Sequence, residues 1–178
     1  IRCSRSLARE HLMSRGSSES ITYSFINVNF AARLDLPQTS VWRERILPIM
    51  NPLSEEQGVL RPLMLPSLLN ALRVNQSHGR EESRLYELGA VFLSQGAEKQ
   101  PDERLTFGGL WSGQIGGNWV EAARPAALWD SKGLAEGLAA HLNPELNYRW
   151  SEERPTWYDA NEAARRDLTV EEQLTPFA

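Results

Sequence analysis

An α+β fold built on a mainly antiparallel sheet flanked by helices is predicted by three features of the 178-residue chain. Helical and strand periodicities are mixed without regular β-α-β succession. The two longest candidate strands, residues 83–93 and 105–115, face each other across a short polar loop. Helical stripes precede and follow that pair. The length allows one full-sized domain, and it excludes a complete eight-stranded α/β barrel. A single domain over residues 1–178 is therefore expected.

Residues 4–15 predict a helix. Leu7, Ala8, Leu12 and Met13 fall on one apolar stripe, Ser4 or Ser6 caps its start, and Gly16 supplies a stop. In Ser20-Ile-Thr-Tyr-Ser-Phe25, Ile21, Tyr23 and Phe25 alternate with Thr22 and Ser24, the period of a half-buried strand. A short helix is expected between Val28 and Leu36, closed by Pro37. Ile46–Met50 reads as a strand, and Pro48, which lacks an N–H, places it at an edge or a bulge. Asn51-Pro-Leu-Ser-Glu-Glu is turn chemistry leading into a helical turn.

From Leu65 the pattern is helical again. Pro66 suits the first turn, Leu68, Leu69, Leu72 and, less regularly, Val74 form the buried stripe, and Gly79 ends it. Ser83–Leu93 is apolar on both alternating faces, as in a central strand. Leu105–Ile115 is its antiparallel return, where Gly108 and Gly109 allow close backbone approach or a bulge. Residues 131–142 predict a helix capped by Ser131, with Leu134, Leu138 and Leu142 at i, i+4, i+8. Tyr148–Trp150 is a short strand candidate, and the segment after Pro155 reads as ragged.

A net charge of −4 argues against a dedicated nucleic-acid domain, which needs a surplus of cations against phosphate. The lone Cys3 cannot form an intramolecular disulfide, so a reducing, cytoplasmic location is expected. No apolar run approaches a membrane span, and the first sixteen residues, basic but without a continuous apolar stretch, do not read as a secretory signal. The missing initiating Met suggests a piece of a longer protein.

Little in the chain specifies catalysis. The run Ser112–Gly117 lacks the Lys-Ser/Thr ending of a phosphate loop and reads as a loop at a strand end. His11, His78 and His141 are far apart in sequence, with no nucleophile motif beside them; His78 suits a helix C-terminus. Glu55, Glu56, Glu81 and Glu82 read as solvated, helix-starting acids. Glu87 differs, because it interrupts a strand apolar on both faces and needs a cation, either Arg84 or Arg61. Trp111 is expected in the core; Trp119 and Trp129 flank a loop where interface contact is an alternative.

One ordered set of motifs is far more specific. Residues 51–93 carry Asn51-Pro-Leu-Ser54, then Leu60 and Arg61, Leu65-Pro66, Leu68-Leu69, and Arg84-Leu-Tyr-Glu-Leu-Gly89 followed by Val91-Phe92. This resembles the β-subunit family of bacterial phenylalanyl-tRNA synthetase, with N-P-L/I-S, L-R-x-x-L-L-P-x-L-L and R-L-F/Y-E-I/L-G-x-V-F in that order. Met64 stands where the family usually has Leu. Ile21-Thr-Tyr-Ser-Phe25 and Trp129-Asp-Ser-Lys-Gly133 resemble its flanking motifs. Of the later H-P-G-R-S/A-A pattern only Pro155 and Ala163 or Ala164 remain.

The resemblance implies a class II aminoacyl-tRNA synthetase fold that performs no aminoacylation, within a phenylalanine–tRNA ligase. The implied partner is the α subunit in an (αβ)₂ heterotetramer, with tRNA(Phe) engaged by the full enzyme and no membrane. ATP and magnesium would be used by the full enzyme, and no catalytic, cofactor or metal residue is expected in this chain. Class II sites hold ATP with arginines of F-R-x-E and G-x-G-x-G-x-x-R patterns; here Arg84 stands in R-x-x-E and the second pattern is absent. Residues 4–15, 21–25 and 66–76 resemble the elements that pack on the α subunit. The alternative is a free-standing class II paralogue or a small-molecule binding domain; a hydrolase on an unrelated α+β fold finds no nucleophile.

Overall fold

A computed structural model describes residues 2–97, 99–117, 119–144 and 168–172. The candidate strand Tyr148–Trp150 and the Pro155 to Ala164 motif lie outside the described residues.

The chain opens with helix α1 (Arg2–Ser14), which stops where Gly16 turns at φ +78°. Strand β1 (Ser18–Glu19) follows and pairs parallel to the central strand β5 (Ser83–Leu93). β5 in turn pairs antiparallel with β6 (Asp102–Ser112) along its whole length, Ser83 opposite Ser112 and Leu93 opposite Asp102. β9 (Leu168–Glu172) adds antiparallel to the outer side of β6, giving the order β1-β5-β6-β9. The stretch read as ragged thus contains a strand.

Between β1 and β5 the chain builds a second, small sheet. β2 (Phe25–Ile26) and β3 (Leu47–Pro48) flank β4 (Val59–Leu60), all antiparallel. Pro48 is on an outer strand, as its missing donor requires. The short helices α2 (Phe30–Arg33) and α3 (Val41–Glu44) and a 3-10 turn at Glu55–Gln57 connect these strands. Phe30 and Leu36 join Ile26, Val59, Leu63 and Leu65 in a local core.

The main sheet is covered on both faces, which explains why β5 reads as apolar on both. Helix α4 (Leu65–Ser77), with Met64 just before it, packs Leu68 and Leu72 against Leu85, Val91 and Leu110. Val74, expected on the buried stripe, is 42% exposed because it faces away from the sheet at the outer side of the helix. On the other face α1 and α5 (Leu128–Leu142) bring Ala8, Leu12, Leu134 and Leu138 onto Tyr86 and Phe107. Each fully buried leucine contributes about 1.5–3 kcal/mol relative to exposure. Gly108 allows close approach rather than a bulge, since a β-carbon there would lie 2.6 Å from Met64 Cβ of the helix above. β6 ends at Ser112, short of the expected Ile115, because Gly113 (φ +92°) turns the chain into a hairpin of β7 (Gln114–Ile115) and β8 (Arg124–Pro125).

Helix α5 starts at Leu128, three residues before the expected Ser131, which is buried instead. Asp130 takes the capping role. Its carboxylate accepts the Ala127 N–H at 2.8 Å and both Arg124 guanidinium nitrogens at 2.7 and 2.6 Å. The hydrogen bonds from Arg124, and then that from Ala127, hold its carboxyl below the usual range. A group depressed in the folded state stabilises the fold above its unfolded pKa and loses that contribution as pH falls through the folded value. The wild-type chain should therefore lose α5 stability below about pH 4, where free carboxyls protonate. Asp130→Asn should be less stable at neutral pH and show a shallower acid loss, measured as thermal midpoint against pH.

Candidate functional site

Residues 20–23 join no ladder and Ser24 bends the chain; a polar network holds the segment instead of a neighbouring strand. Ser20 N–H donates to the Tyr86 carbonyl at 2.7 Å, and Arg61 N–H donates to the Ser24 carbonyl at 2.8 Å. The Thr22 hydroxyl points inward and donates to Glu87 Oε2 at 2.7 Å. The alternation predicted for residues 20–25 is therefore present but reversed. The polar residue faces the protein, and Ile21, Tyr23 and Phe25 face solvent with 89%, 75% and 44% exposure. A ridge of two aromatics and an isoleucine is an unusual thing for a lone soluble domain to display.

Beneath the ridge lies the partner of Glu87. Of the two cations considered, Arg61 makes the pair, Nη1 to Oε1 at 2.9 Å, with the side chains 2% and 6% exposed. Arg61 Nη1 also donates to Thr22 Oγ1 at 2.9 Å, and Nε donates to the Ala90 carbonyl at 2.9 Å. Gly89 makes this possible: a β-carbon there would collide with Arg61 Nη2. Arg84 lies elsewhere, its guanidinium 5.6 Å over the half-buried Trp111 ring. Thr22, Arg61, Glu87 and Gly89 come from three separate motifs, and the network joins all three.

The chemistry open to this cluster is narrow. Glu87 Oε1 accepts from Arg61 and, at 3.4 Å, from Thr22 N–H, while Oε2 accepts from the Thr22 hydroxyl. Both oxygens are engaged inside the protein, so the carboxylate is a structural acceptor rather than a proton carrier.

A groove of about 550 Å³ runs beside the ridge, between Tyr23 and Phe25 on one wall and Pro66 and Leu69 of α4 on the other. At its rim Arg33 pairs with Glu56 at 3.3 Å, and Arg73 is spent on Asn70 Oδ1 at 3.0 Å. Both rim arginines thus have a partner within the chain. None of the five phenylalanines is followed by arginine, so F-R-x-E occurs nowhere in the chain; Phe92 is followed by Leu93, which is buried. The Ser112–Gly117 run forms the turn into the β7–β8 hairpin. Among the described residues no three His, Cys, Asp or Glu side chains are placed to hold a metal ion.

Other sequence candidates resolve simply. His78 Nδ1 is hydrogen-bonded at 2.7 Å to the Val74 carbonyl at the end of α4. Glu55 and Glu56 open the 3-10 turn and are exposed. Trp119 and Trp129 are exposed, at 97% and 72%. Sequence reasoning missed the juxtaposition of His11 and His141, whose rings stack across α1 and α5. Helical placement of both was the only available signal.

Comparison with known proteins converges on one family. The family model of the phenylalanyl-tRNA synthetase β chain CLM domain matches residues 2–170. The phenylalanine–tRNA ligase β subunit of Desulfotalea psychrophila is 35% identical over 130 residues, covering 71% of this chain and 16% of that protein. That of Moorella thermoacetica is 37% identical over 134 residues, covering 75% and 16%. The chain thus spans 16% of the length of these relatives. Two structures of pyrrolysyl-tRNA synthetase from Desulfitobacterium hafniense superpose with TM-scores of 0.54 and 0.56 at 16% identity. Each superposition covers 78% of this chain and 43% or 45% of the other. At that identity the likeness shows the fold alone, that of a class II aminoacyl-tRNA synthetase.

Proposed function

Because the chain belongs to the family of phenylalanine–tRNA ligase β subunits, we propose that it is the structural, non-catalytic synthetase-like module of such a subunit. Its role is to dock on the catalytic α subunit within an (αβ)₂ ligase that charges tRNA(Phe) with phenylalanine. ATP and magnesium are used by the assembled enzyme at sites outside this chain, which contributes no catalytic, cofactor or metal residue. A soluble, cytoplasmic setting goes with that role; no helix among the described residues is long and apolar enough to cross a membrane.

The reversed alternation of residues 21–25 carries the proposal. A half-buried threonine turns its hydroxyl inward to Glu87 while three large apolar side chains are exposed, an arrangement that becomes favourable only when a second surface covers them. The ridge, the groove and the outer face of α4 form one continuous border for that surface. Co-expression with the family's α subunit tests it. The two chains should co-purify in equal amounts, and an α subunit that ignores a β subunit carrying this module overturns the reading.

A further inference from the structure

His11, in the last turn of α1, and His141, near the end of α5, stack with ring centroids 5.0 Å apart and planes 29° from parallel. His11 is half-buried and His141 exposed, beside the seam where Ala8 and Leu12 of α1 meet Leu134 and Leu138 of α5. His11 Nε2 is buried and has no hydrogen-bond partner among the described residues. The ring is set tightly against Gly137, where a β-carbon would lie 3.1 Å from Nε2. Nothing in this seam is used by the ion-pair network or by the ridge.

The charged groups acting on His11 are His141 from α5 and Arg15 from its own helix, both basic. β1 brings Glu19, which is already held by Arg9 at 2.9 Å. β5 and β6 meet the seam with Tyr86, Phe107 and Trp111. β9, packed on α5, carries Glu171 and Glu172.

We propose that the stacked pair makes the docking of α1 on α5 a proton-operated latch, closed while the His11 imidazole is neutral and released when it gains a proton. Protonation puts a cation on a ring whose buried Nε2 has no acceptor among the described residues and which stacks on a second histidine. Burial first, then His141 and Arg15, holds the His11 imidazole below its usual pKa. A group lowered in the folded state binds protons more readily when unfolded, so its contribution is full at alkaline pH and is lost as pH falls below about 6.5. The inference rests on the α1–α5 seam alone and stands whether or not the proposed partner is correct.

Hydrogen–deuterium exchange of the full-length β subunit at about pH 7.5 and 5.5, with exchange times scaled for the intrinsic pH dependence, tests the latch. Peptides from α1 should lose protection on acidification, by more than peptides from α4 on the other face of the sheet do. In the double variant His11→Phe/His141→Phe, which keeps the stack without the protons, protection should be equal at both values. Should that variant fail to fold, His11→Gln serves the same purpose and should at least halve the acid loss on a logarithmic scale. Equal protection at both pH values in the wild type, or an undiminished loss in the variants, overturns the proposal.

Discussion

Replacing Arg61 by alanine should cost the module about 3–5 kcal/mol, enough to unfold most domains of this size, because Glu87 would remain buried without its counter-charge. Nothing nearby can substitute for Arg61. Arg84 points to the opposite face of the sheet over Trp111, and the rim arginines Arg33 and Arg73 are engaged elsewhere. Glu87→Gln should do less damage, about 1–3 kcal/mol, since an amide retains some hydrogen bonding to Thr22 while leaving the guanidinium unpaired. Urea midpoints give both numbers. The double variant Arg61→Met/Glu87→Leu removes both charges and should recover part of the stability, leaving the Thr22 hydroxyl and the Ala90 carbonyl unsatisfied. It should still assemble poorly, because residues 20–24 lose their anchor. If Arg61→Ala is as stable as the wild type, the buried pair is not what holds this segment.

Tyr23→Asp combined with Ile21→Asp should have the opposite profile. Both side chains are exposed, so stability of the free chain should change by no more than about 0.5 kcal/mol each. Assembly should weaken on the order of 100-fold or more, because two apolar anchors at an interface centre are worth about 3 kcal/mol together and each 1.4 kcal/mol is tenfold. Leu53→Asp and Trp119→Asp are the controls, at 93% and 97% exposure on loops, neither of them lining the groove. If the controls abolish association and the ridge variants do not, the docking surface lies at those loops.

Much of the main sheet was legible because burial on both faces leaves a plain mark. Ser83–Leu93 could only be central, and the helix from Leu65 to Ser77 announced its start with Pro66 and its end with Gly79. The buried acid was legible for the same reason: Glu87 interrupts an apolar strand and must have a cation. What periodicity could not tell was which side of residues 20–25 faced inward. Alternation gives two faces without a label, and the usual rule that the apolar face is buried fails where a partner surface supplies the burial. The cap of α5 was misplaced because Asp130 reaches back to Ala127 from inside the helix, a role that Ser131 mimics in sequence. β9 escaped notice because its charged, short pattern has meaning only beside β6. The histidine stack required tertiary contact between helices more than a hundred residues apart, for which no local spacing exists.

The most direct test is the number of nucleotides the assembled ligase binds, by equilibrium titration of ATP with magnesium under single-turnover conditions. A chain that lacks the F-R-x-E and G-x-G-x-G-x-x-R arginines, and whose one buried guanidinium among the described residues is held against Glu87, should add no site to those of the α subunit. The expected result is one ATP per αβ pair, abolished by inactivating the α-subunit site alone. Two per pair, with one surviving that inactivation, would contradict a purely structural module.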